Sequence, residues 1–466
     1  MSSTRSVDAM VIGTGQAGPP LAVRLAMGGL RTVLVEREHL GGTCVNDGCI
    51  PTKTLVASAR AAWVVRHAAD WGVVAEGAVR TDMKAVKARK DRVVAQSVDG
   101  VEKWLRGTEG LELVWGQARF VGPRTVDVAG TRYEAPKVFV NVGGRPVLPP
   151  WPGLDTVPVL TNVSMMALDT LPQHLVVIGG SYIGLEFAQM YARFGARVTV
   201  LEVADRLIAR EDRDISAAVR AMLEVEGIAF HFGVKDARVR PGAEGTGVHL
   251  DFTAGGTTQA VEGSHLLAAV GRRPNTDDLG LDAAGIATDA KGYITVDDEL
   301  RTSVPGVWAL GDCNGRGAFT HTSYNDHEIV AANLLDGRRR RVSDRIPAYA
   351  LYTDPPLGRV GMGEAEVRAS GKRALVATMP MTRVGRARER GETTGFMKAF
   401  VDADTQRILG AALLGIEADE VVHVLIDLMG AGAPYRVICD TMHIHPTVSE
   451  LLPTLFEGLQ PLPAAT

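Results

Sequence analysis

The sequence lacks several features that would place it in a specialised class of proteins. It has four cysteines in 466 residues, too few for a scaffold of structural disulfides in a chain of this size. No apolar run approaches the ~18 residues that cross a bilayer, and the N-terminal residues contain no apolar segment typical of a secretory signal. We therefore expect a cytoplasmic protein with no membrane partner.

The chain also has no excess of charge of either sign and few aromatic residues. Lys and Arg total 50 against 54 Asp and Glu, so no bulk positive field is available to bind nucleic acid. Aromatic residues make up 5% of the chain, whereas glycine is abundant at 52 residues. The length predicts about three domains of ~150 residues each. The glycines predict a backbone that turns tightly, or closely approaches another group, at several points.

One pattern occurs twice in the sequence, at an offset of 166 residues. Val11-Ile-Gly-Thr-Gly-Gln-Ala-Gly18 aligns with Val177-Ile-Gly-Gly-Ser-Tyr-Ile-Gly184, and Glu36 aligns with Glu202. Each copy predicts a strand, a glycine-rich turn, a helix, a second strand and an acid. In dinucleotide sites such a turn lets a pyrophosphate reach the helix N-terminus, and the acid accepts from the ribose hydroxyls. The repeat therefore predicts two nucleotide sites, although Ser181 replaces the middle glycine of the second turn.

A shorter repeat follows each copy. Val142-Gly-Gly-Arg-Pro146 and Val270-Gly-Arg-Arg-Pro274 each end an apolar strand. They make Gly143 and Gly271 candidate cofactor-binding residues. Alone, the two segments are equally compatible with a simple turn where a strand ends.

The segment Gly41-Gly-Thr-Cys-Val-Asn-Asp-Gly-Cys-Ile-Pro-Thr-Lys53 holds the only closely spaced cysteines. On a regular helix, residues five apart lie about 9 Å from each other, beyond the ~7 Å limit for a disulfide, so a bridge requires a distorted segment. A zinc site would need two further ligands, and buried inert thiols are a second alternative. In a reducing compartment we favour a reversible dithiol/disulfide pair.

These motifs, together with three others, resemble one known family. The others are Gly180-Ser-Tyr-Ile-Gly-Leu-Glu186, Ala309-Leu-Gly-Asp312 and His445-Pro-Thr-Val-Ser-Glu450. In this order, and over nearly the whole chain, they resemble the flavin-dependent pyridine nucleotide-disulfide oxidoreductases. Dihydrolipoamide dehydrogenase, glutathione reductase and mercuric reductase belong to that family.

The resemblance implies an α/β fold with two Rossmann-like domains, for FAD and NAD(P), and a C-terminal α+β dimerisation domain. The expected boundaries are 1–150 for the FAD domain, 151–275 for the NAD(P) domain, 276–345 for a segment completing the FAD domain, and 346–466 for the dimerisation domain. The family also implies a homodimer in which each active site is completed by the other subunit.

The family pattern implies a set of site residues and no resident metal. The implied catalytic residues are Cys44, Cys49, Lys53, Glu186, His445 and Glu450. The implied cofactor-binding residues are Gly13, Gly15, Gly18, Glu36, Gly42, Thr43, Lys53, Gly143, Gly179, Tyr182, Gly184, Glu202, Gly271, Gly311 and Asp312. Tyr182 matches a position that, in some members, covers the flavin until the nicotinamide displaces it.

The resemblance also implies how electrons travel. A nicotinamide delivers hydride to the flavin, which passes two electrons to the disulfide. Cys49 resembles the sulfur that faces the flavin as a charge-transfer thiolate, and Cys44 the sulfur that exchanges with substrate. Imidazole can accept and donate the proton near neutrality, and His445 of the other subunit, oriented by Glu450, resembles that base. His443 is a weaker competitor for the role.

The substrate stays open at this point. Glu202 should repel a 2′-phosphate and favours NADH, although NADPH remains possible because Arg206 lies close by in sequence. We expect a small or protein-borne dithiol/disulfide substrate, as in dihydrolipoamide dehydrogenase. The alternative is a reductase for a soft metal ion (Hg or Cu) or an oxidant, without the C-terminal cysteine pair of mercuric reductases, since no cysteine follows Cys439. A non-catalytic nucleotide-binding subunit is a third possibility.

Overall fold

The computed structural model describes residues 4–74 and 76–464. The N-terminal part of the chain carries nine strands and four helices. The strands are β1 (Thr4–Ser6), β2 (Ala9–Ile12), β3 (Thr32–Glu36), β4 (Leu111–Trp115), β5 (Ala118–Gly122), β6 (Thr125–Val128), β7 (Thr131–Glu134), β8 (Lys137–Val140) and β9 (Gly144–Pro146). The helices are α1 (Gly18–Met27), α2 (Gly42–Asn46), α3 (Cys49–Arg66) and α4 (Met83–Arg106).

The middle of the chain repeats this arrangement and then returns to the first unit. Its strands are β10 (Val159–Leu160), β11 (His174–Ile178), β12 (Arg197–Leu201), β13 (Ala229–His231), β14 (Lys235–Pro241), β15 (Val248–Ala254), β16 (Thr257–Gly263), β17 (His265–Ala268), β18 (Arg272–Pro274) and β19 (Val307–Ala309). Its helices are α5 (Asn162–Met165), α6 (Tyr182–Phe194), α7 (Arg213–Val225), α8 (Leu281–Ala284) and α9 (Thr320–Leu335).

Two five-stranded parallel sheets form the frame of the molecule. The first has the strand order β19-β8-β2-β3-β4 and the second the order β10-β17-β11-β12-β13. Strands β2 and β11 are buried along their whole length, which explains why both are continuous apolar runs rather than alternating ones. Strands β2, β3, β4 and β8 correspond to β11, β12, β13 and β17, whereas the edge strand β19 comes late in the chain and the edge strand β10 precedes β11. The sequence repeat is therefore a repeat of this four-stranded part of the fold.

The two short repeats pair with each other. Strands β9 and β18 form a two-stranded antiparallel ribbon, with Arg272 opposite Pro146 and Pro274 opposite Gly144. In the chain, β9 directly follows β8 of the first sheet, and β18 directly follows β17 of the second. The ribbon therefore ties together the exits of the two parallel units, next to the cleft between them.

The C-terminal part is a separate antiparallel unit with five helices. Its strands are β20 (Ala348–Leu351), β21 (Leu357–Gly361), β22 (Ala374–Pro380), β23 (Phe396–Asp402), β24 (Ile408–Leu414) and β25 (Gln460–Pro461), in the sheet order β20-β21-β24-β23-β22-β25. Its helices are α10 (Glu364–Ala369), α11 (Gly385–Glu389), α12 (Ala418–Gly430), α13 (Arg436–Asp440) and α14 (Leu452–Glu457).

Both faces of this antiparallel sheet are covered. Strand β24 is buried at every residue, with Leu413 in the core beneath α12 and α14, and Leu414 in the core of the second parallel unit. The predicted α/β class is thus confirmed, with two matching nucleotide-binding units and a mixed C-terminal unit. Among the helices of the described residues, none is long and apolar enough to cross a membrane.

Candidate active site

The first glycine turn, between β2 and α1, is closed tightly against the end of β8. Gly13 has φ +98°, and a Cβ there would lie 2.3 Å from the carbonyl oxygen of Asn141. A Cβ on Gly18 would lie 2.1 Å from the Gly13 carbonyl oxygen, and the Asn141 amide donates to the Gly15 carbonyl at 3.1 Å. Glycine is therefore required, and the open N-terminus of α1 behind the turn suits a pyrophosphate.

Glu36 ends β3 beside this turn and is fully engaged by the protein. One carboxylate oxygen accepts from the Thr14 amide (3.0 Å) and the Thr14 hydroxyl (2.5 Å). The other accepts from the amides of Arg37 and Glu38, each at 2.8 Å. The carboxylate is buried and held in one orientation in the wall of the cleft.

The second turn, between β11 and α6, has the same construction. Gly179 has φ +109°, and a Cβ on Gly184 would lie 2.0 Å from the Gly179 carbonyl oxygen. Ser181 has φ −115°, an extended conformation open to any residue, so the missing middle glycine does not alter the turn. Glu202 accepts from the amides of Gly180 (2.5 Å) and Ala204 (2.8 Å) and keeps lone pairs free for another donor.

Both turns open into one cleft of about 2560 Å³. Most of the site residues predicted from the sequence line it: Gly13, Gly15, Glu36, Gly42, Thr43, Cys44, Cys49, Lys53, Gly143, Gly179, Tyr182, Glu186, Glu202, Gly271 and Asp312. Gly18, Gly184 and Gly311 do not line the cleft themselves. A Cβ on any of the three would overlap a neighbouring protein atom. A continuous cleft with two glycine cradles is the shape that an extended dinucleotide such as FAD and a second nucleotide would need.

The two cysteines lie on either side of a helix break. Cys44 is in α2, the chain leaves the helix at Asp47 and Gly48, and Cys49 is the first residue of α3. The break brings the two thiols into hydrogen-bonding contact, which a regular helix would prevent. Both are free thiols in this structure. The distortion expected from their spacing is thus present.

The pair is electrostatically asymmetric. The hydrogen bond from Cys44, the Thr320 hydroxyl 2.8 Å away and the positive charge of Lys53 lower the pKa of Cys49 to about 6, against the effect of burial. The same contact with Cys49, together with burial, raises the pKa of Cys44. Cys49 therefore carries the negative charge at neutral pH, and Cys44 retains its proton.

Lys53 and Glu186 form an ion pair that joins α3 to α6. The Lys53 ammonium lies 2.8 Å from the Glu186 carboxylate and 4.4 Å from the centre of the Tyr352 ring. Glu186 is buried, and it also accepts from the Tyr352 amide at 3.1 Å. The two residues meet beside the cysteine pair, as the family pattern implies.

Asp312 contributes a partly exposed carboxylate to the cleft wall, and desolvation raises its pKa. The Nε atom of Arg272 lies 3.5 Å from this carboxylate, and Arg272 also donates to the Thr43 hydroxyl at 3.2 Å. A carboxylate so placed suits a ligand that bears hydroxyl groups, such as the ribityl chain of FAD. The sequence did not single out Arg272 or Thr320, although Arg272 lies in the short repeat Val270–Pro274.

His445 and Glu450 are paired but lie outside the cleft of their own chain. Nδ1 of His445 is 2.9 Å from the Glu450 carboxylate, and the His445 side chain is 77% exposed whereas that of Glu450 is 13% exposed. His443 instead contacts only the Thr441 carbonyl. Neither His445 nor Glu450 is among the described residues that line the cleft.

The chain belongs to the pyridine nucleotide-disulphide oxidoreductase family. Residues 7–326 match the family itself, and residues 347–456 match its dimerisation domain. The protein is accordingly an NAD(P)H-dependent flavoprotein disulfide oxidoreductase, and its dimerisation domain indicates a homodimer.

Particular relatives resemble the chain over nearly its whole length. It is 37% identical to the probable pyridine nucleotide-disulfide oxidoreductase RclA of Escherichia coli, covering 96% of this chain and 98% of the relative. It is 35% identical to the dihydrolipoyl dehydrogenase of Thermus scotoductus, covering 98% of each chain. Among solved structures, the HOCl-induced flavoprotein disulfide reductase RclA of E. coli has a TM-score of 0.87 at 36% identity, covering 97% of this chain and 99% of that one.

Proposed function

We propose that this enzyme passes electrons between NADH and a dithiol/disulfide substrate, through FAD and a Cys44–Cys49 disulfide, in the manner of a dihydrolipoamide dehydrogenase. The observation that carries the proposal is the asymmetric cysteine pair in the cleft that both nucleotide turns border. Cys49 is stabilised as a thiolate on the first turn of α3, and Cys44 keeps the proton. Such a division of roles suits one sulfur that faces a redox cofactor and one that exchanges with substrate.

The residues of the first unit would hold FAD. The turn from Gly13 to Gly18 would bind its pyrophosphate, Asp312 would accept from its ribityl hydroxyls, and Lys53 with Glu186 would border its ring. Bound FAD supplies the two-electron step between the nicotinamide and the cysteine disulfide.

The thiol–disulfide exchange with the substrate is then carried out by side chains of the protein. The Cys44 thiol gives its proton to His445 of the other subunit, and the resulting thiolate attacks a substrate disulfide, forming a mixed disulfide and releasing one substrate thiolate. That thiolate takes the proton back from the imidazolium, which Glu450 holds in place. The Cys49 thiolate then attacks Cys44, which restores the Cys44–Cys49 disulfide and releases the second substrate sulfur.

The preferred nicotinamide in this proposal is NADH. Glu202 has free lone pairs for ribose hydroxyls and a negative charge that disfavours a 2′-phosphate. Arg206, the residue that could favour NADPH, is engaged with the Asp205 carboxylate at 3.1 Å and the Ala209 carbonyl at 2.7 Å. The two terminal nitrogens of its guanidinium are therefore engaged within its own loop.

A second candidate function is the reduction of an oxidant or of a soft metal ion. The E. coli relative is described as HOCl-induced, and a Cu(II) complex of it has a TM-score of 0.87 with this chain at 36% identity. Cys44 and Cys49 are soft ligands at the end of the electron path, which suits copper as a substrate.

The proposal keeps the domain extents expected from the sequence, with boundaries near residues 150, 275 and 345. The pairing of β19 with β8 supports a central segment that returns to the FAD unit. A cytoplasmic location is also proposed, since a dithiol centre that depends on NADH needs access to the nicotinamide pool.

Anaerobic titration of the purified protein with NADH, and then NADPH, tests the proposal. We expect a flavin absorbance near 450 nm that bleaches, and a broad long-wavelength band after two electrons. Cys49→Ser should lose this band. Cys44→Ser, the matched control, should show the band before any reduction, because its Cys49 thiolate faces oxidised flavin, and should lose it when two electrons reduce the flavin. Bleaching without the band would refute the disulfide mechanism, and a protein that neither holds flavin nor oxidises NADH would be a binding subunit.

The second step of the experiment distinguishes the substrates. Lipoamide should reoxidise the reduced wild-type enzyme, dihydrolipoamide should reduce the oxidised wild-type enzyme, and neither should react with Cys44→Ser. Turnover with Cu(II) or an oxidant, and none with lipoamide, would favour the second candidate.

A further inference from the structure

Three aromatic rings from different parts of the chain meet in the cleft beside the second nucleotide turn. Tyr182 begins α6 and comes from the second parallel unit, Phe319 precedes α9, and Tyr349 lies in β20 of the C-terminal unit. The rings of Phe319 and Tyr349 stack at 5.4 Å and 11°. The Tyr182 ring meets both of them edge to face, at 5.7 Å and 5.6 Å. Tyr182 is therefore held by two residues that do not belong to its own unit.

Tyr349 is itself fixed by a buried carboxylate. Its hydroxyl donates to Glu211 at 2.5 Å, and the Glu211 side chain is 0% exposed. Within the described residues this is the only hydrogen bond that the Glu211 carboxylate accepts, because its other oxygen has no partner and lies 3.7 Å from the Arg359 guanidinium. A buried carboxylate with one hydrogen-bond donor holds that donor strongly.

We propose that Tyr349 is a positioning residue that holds Tyr182 in the cleft, and that Glu211 fixes Tyr349 for this purpose. The inference rests on the proposed function in one respect, that the turn beside Tyr182 takes the nicotinamide nucleotide. Tyr182 must leave its place between Phe319 and Tyr349 for its ring to move. The C-terminal unit, through Tyr349, thus sets how readily the nicotinamide position opens.

The physical consequence is a difference in binding. When a site is competent only with Tyr182 displaced, the apparent dissociation constant equals the intrinsic one divided by the fraction displaced. Tyr349→Phe removes the hydrogen bond to Glu211 and keeps the stacked ring. We therefore expect the dissociation constant of NAD⁺ for the oxidised, FAD-loaded enzyme to fall about three- to tenfold, as loss of one buried hydrogen bond would give.

Calorimetric titration of NAD⁺ into the oxidised holoenzyme measures this constant without any thiol chemistry. Steady-state kinetics should agree, with KM for NADH lowered and kcat changed less. Tyr191→Phe is the matched control, because it removes a buried tyrosine hydroxyl from the same helix as Tyr182, away from the cluster. It should leave the dissociation constant unchanged.

Two further variants separate the positioning role from a purely structural one. Glu211→Gln keeps an acceptor oxygen for Tyr349 but loses its charge, so the dissociation constant of NAD⁺ should fall, and by less than in Tyr349→Phe. Tyr182→Ala removes the residue that is held, so adding Tyr349→Phe to it should produce no further change.

The inference is overturned if Tyr349→Phe leaves NAD⁺ binding unchanged, or if the same fold-change persists when Tyr182 is already alanine. Either result is distinct from failure of the proposed function, which would appear as a missing long-wavelength band in the NADH titration while NAD⁺ binding behaves as described.

Discussion

The two nucleotide turns have the same backbone but differ in how their acids are used. Glu36 accepts four hydrogen bonds from its own unit, whereas Glu202 accepts two. A Cβ on Gly18 and a Cβ on Gly184 would meet the preceding turn at nearly the same distance, 2.1 Å and 2.0 Å. In the first turn, donors of the protein itself occupy the Glu36 carboxylate. In the second turn, the Glu202 carboxylate keeps lone pairs that a ligand can use.

The residues around the two turns also differ. The first unit inserts the segment with Cys44, Cys49 and Lys53 after Glu36, whereas the second unit has a short loop that leads to Glu211 and α7. Gln16 stands in the first turn at the position that Tyr182 occupies in the second. We interpret the first turn as the seat of a permanently bound cofactor, and the second as the seat of a ligand that enters and leaves in each cycle.

The largest expected effect comes from adding one methyl group to each turn. Gly18→Ala should yield protein without FAD, because the Cβ would overlap the Gly13 carbonyl. Gly184→Ala should keep FAD but lose reduction by NADH by roughly two orders of magnitude, the cost of an overpacked backbone contact. The ratio of absorbance at 450 and 280 nm, and stopped-flow reduction, measure the two losses. Loss of FAD in Gly184→Ala would show that the turns are not independent.

The next effect concerns the histidine that is proposed to serve the cysteines of the first unit. His445→Gln should lower turnover with a disulfide substrate by about 10²- to 10⁴-fold, the usual contribution of an acid–base group. Reduction of the flavin by NADH should not change, since His445 lies outside the cleft of its own chain. Glu450→Gln should lower turnover less, because it only orients the ring. Equal losses in both half-reactions would contradict the assignment.

A smaller effect is the pH dependence of the cysteine pair. Because the pKa of Cys49 is lowered to about 6, its thiolate is present above that pH and is protonated as the pH falls through it. The long-wavelength band of the two-electron-reduced enzyme should therefore be lost on acidification, with a midpoint near pH 6. Thr320→Val should raise the midpoint and Thr320→Ser should restore it. If Thr320→Val had the same pH midpoint as the wild type, the role of the Thr320 hydrogen bond would be contradicted.

The smallest expected effect is on the choice of nicotinamide. Glu202→Gln removes the charge that disfavours a 2′-phosphate, so the preference for NADH over NADPH should fall about tenfold, the size of one exposed charge interaction. Glu36→Gln is the matched control in the first unit, and it should leave the ratio of kcat/KM values unchanged. A shift in the control rather than in Glu202→Gln would reverse the roles of the two turns.

Much of this arrangement could be predicted from the sequence because glycines report backbone contacts directly. Gly13, Gly18, Gly179 and Gly184 stand where a Cβ would overlap a main-chain atom, so their spacing is fixed by geometry. The repeat at 166 residues therefore predicted two copies of a strand, a glycine-rich turn, a helix and a second strand, and the structure contains both. Even Ser181, the exception, occupies an extended position where no glycine is needed.

Other parts had no local pattern to predict them. The three-stranded sheet of β14, β15 and β16, inserted before β17, has strands that are partly exposed and match no motif. Thr320 reaches Cys49 from 271 positions away, and Tyr349 reaches Glu211 from 138 positions away. Such contacts depend on how the separate units pack against each other. Local patterns in the sequence do not predict that packing.

The exposure of His445 has a genetic consequence. If each site takes its cysteines from one chain and its histidine from the other, a Cys44→Ser chain and a His445→Gln chain fail for complementary reasons. Coexpression should rescue activity, because half of the randomly assembled dimers are mixed and each mixed dimer has one intact site, giving about a quarter of wild-type turnover. Two separately inactive alleles would then complement each other within a single gene.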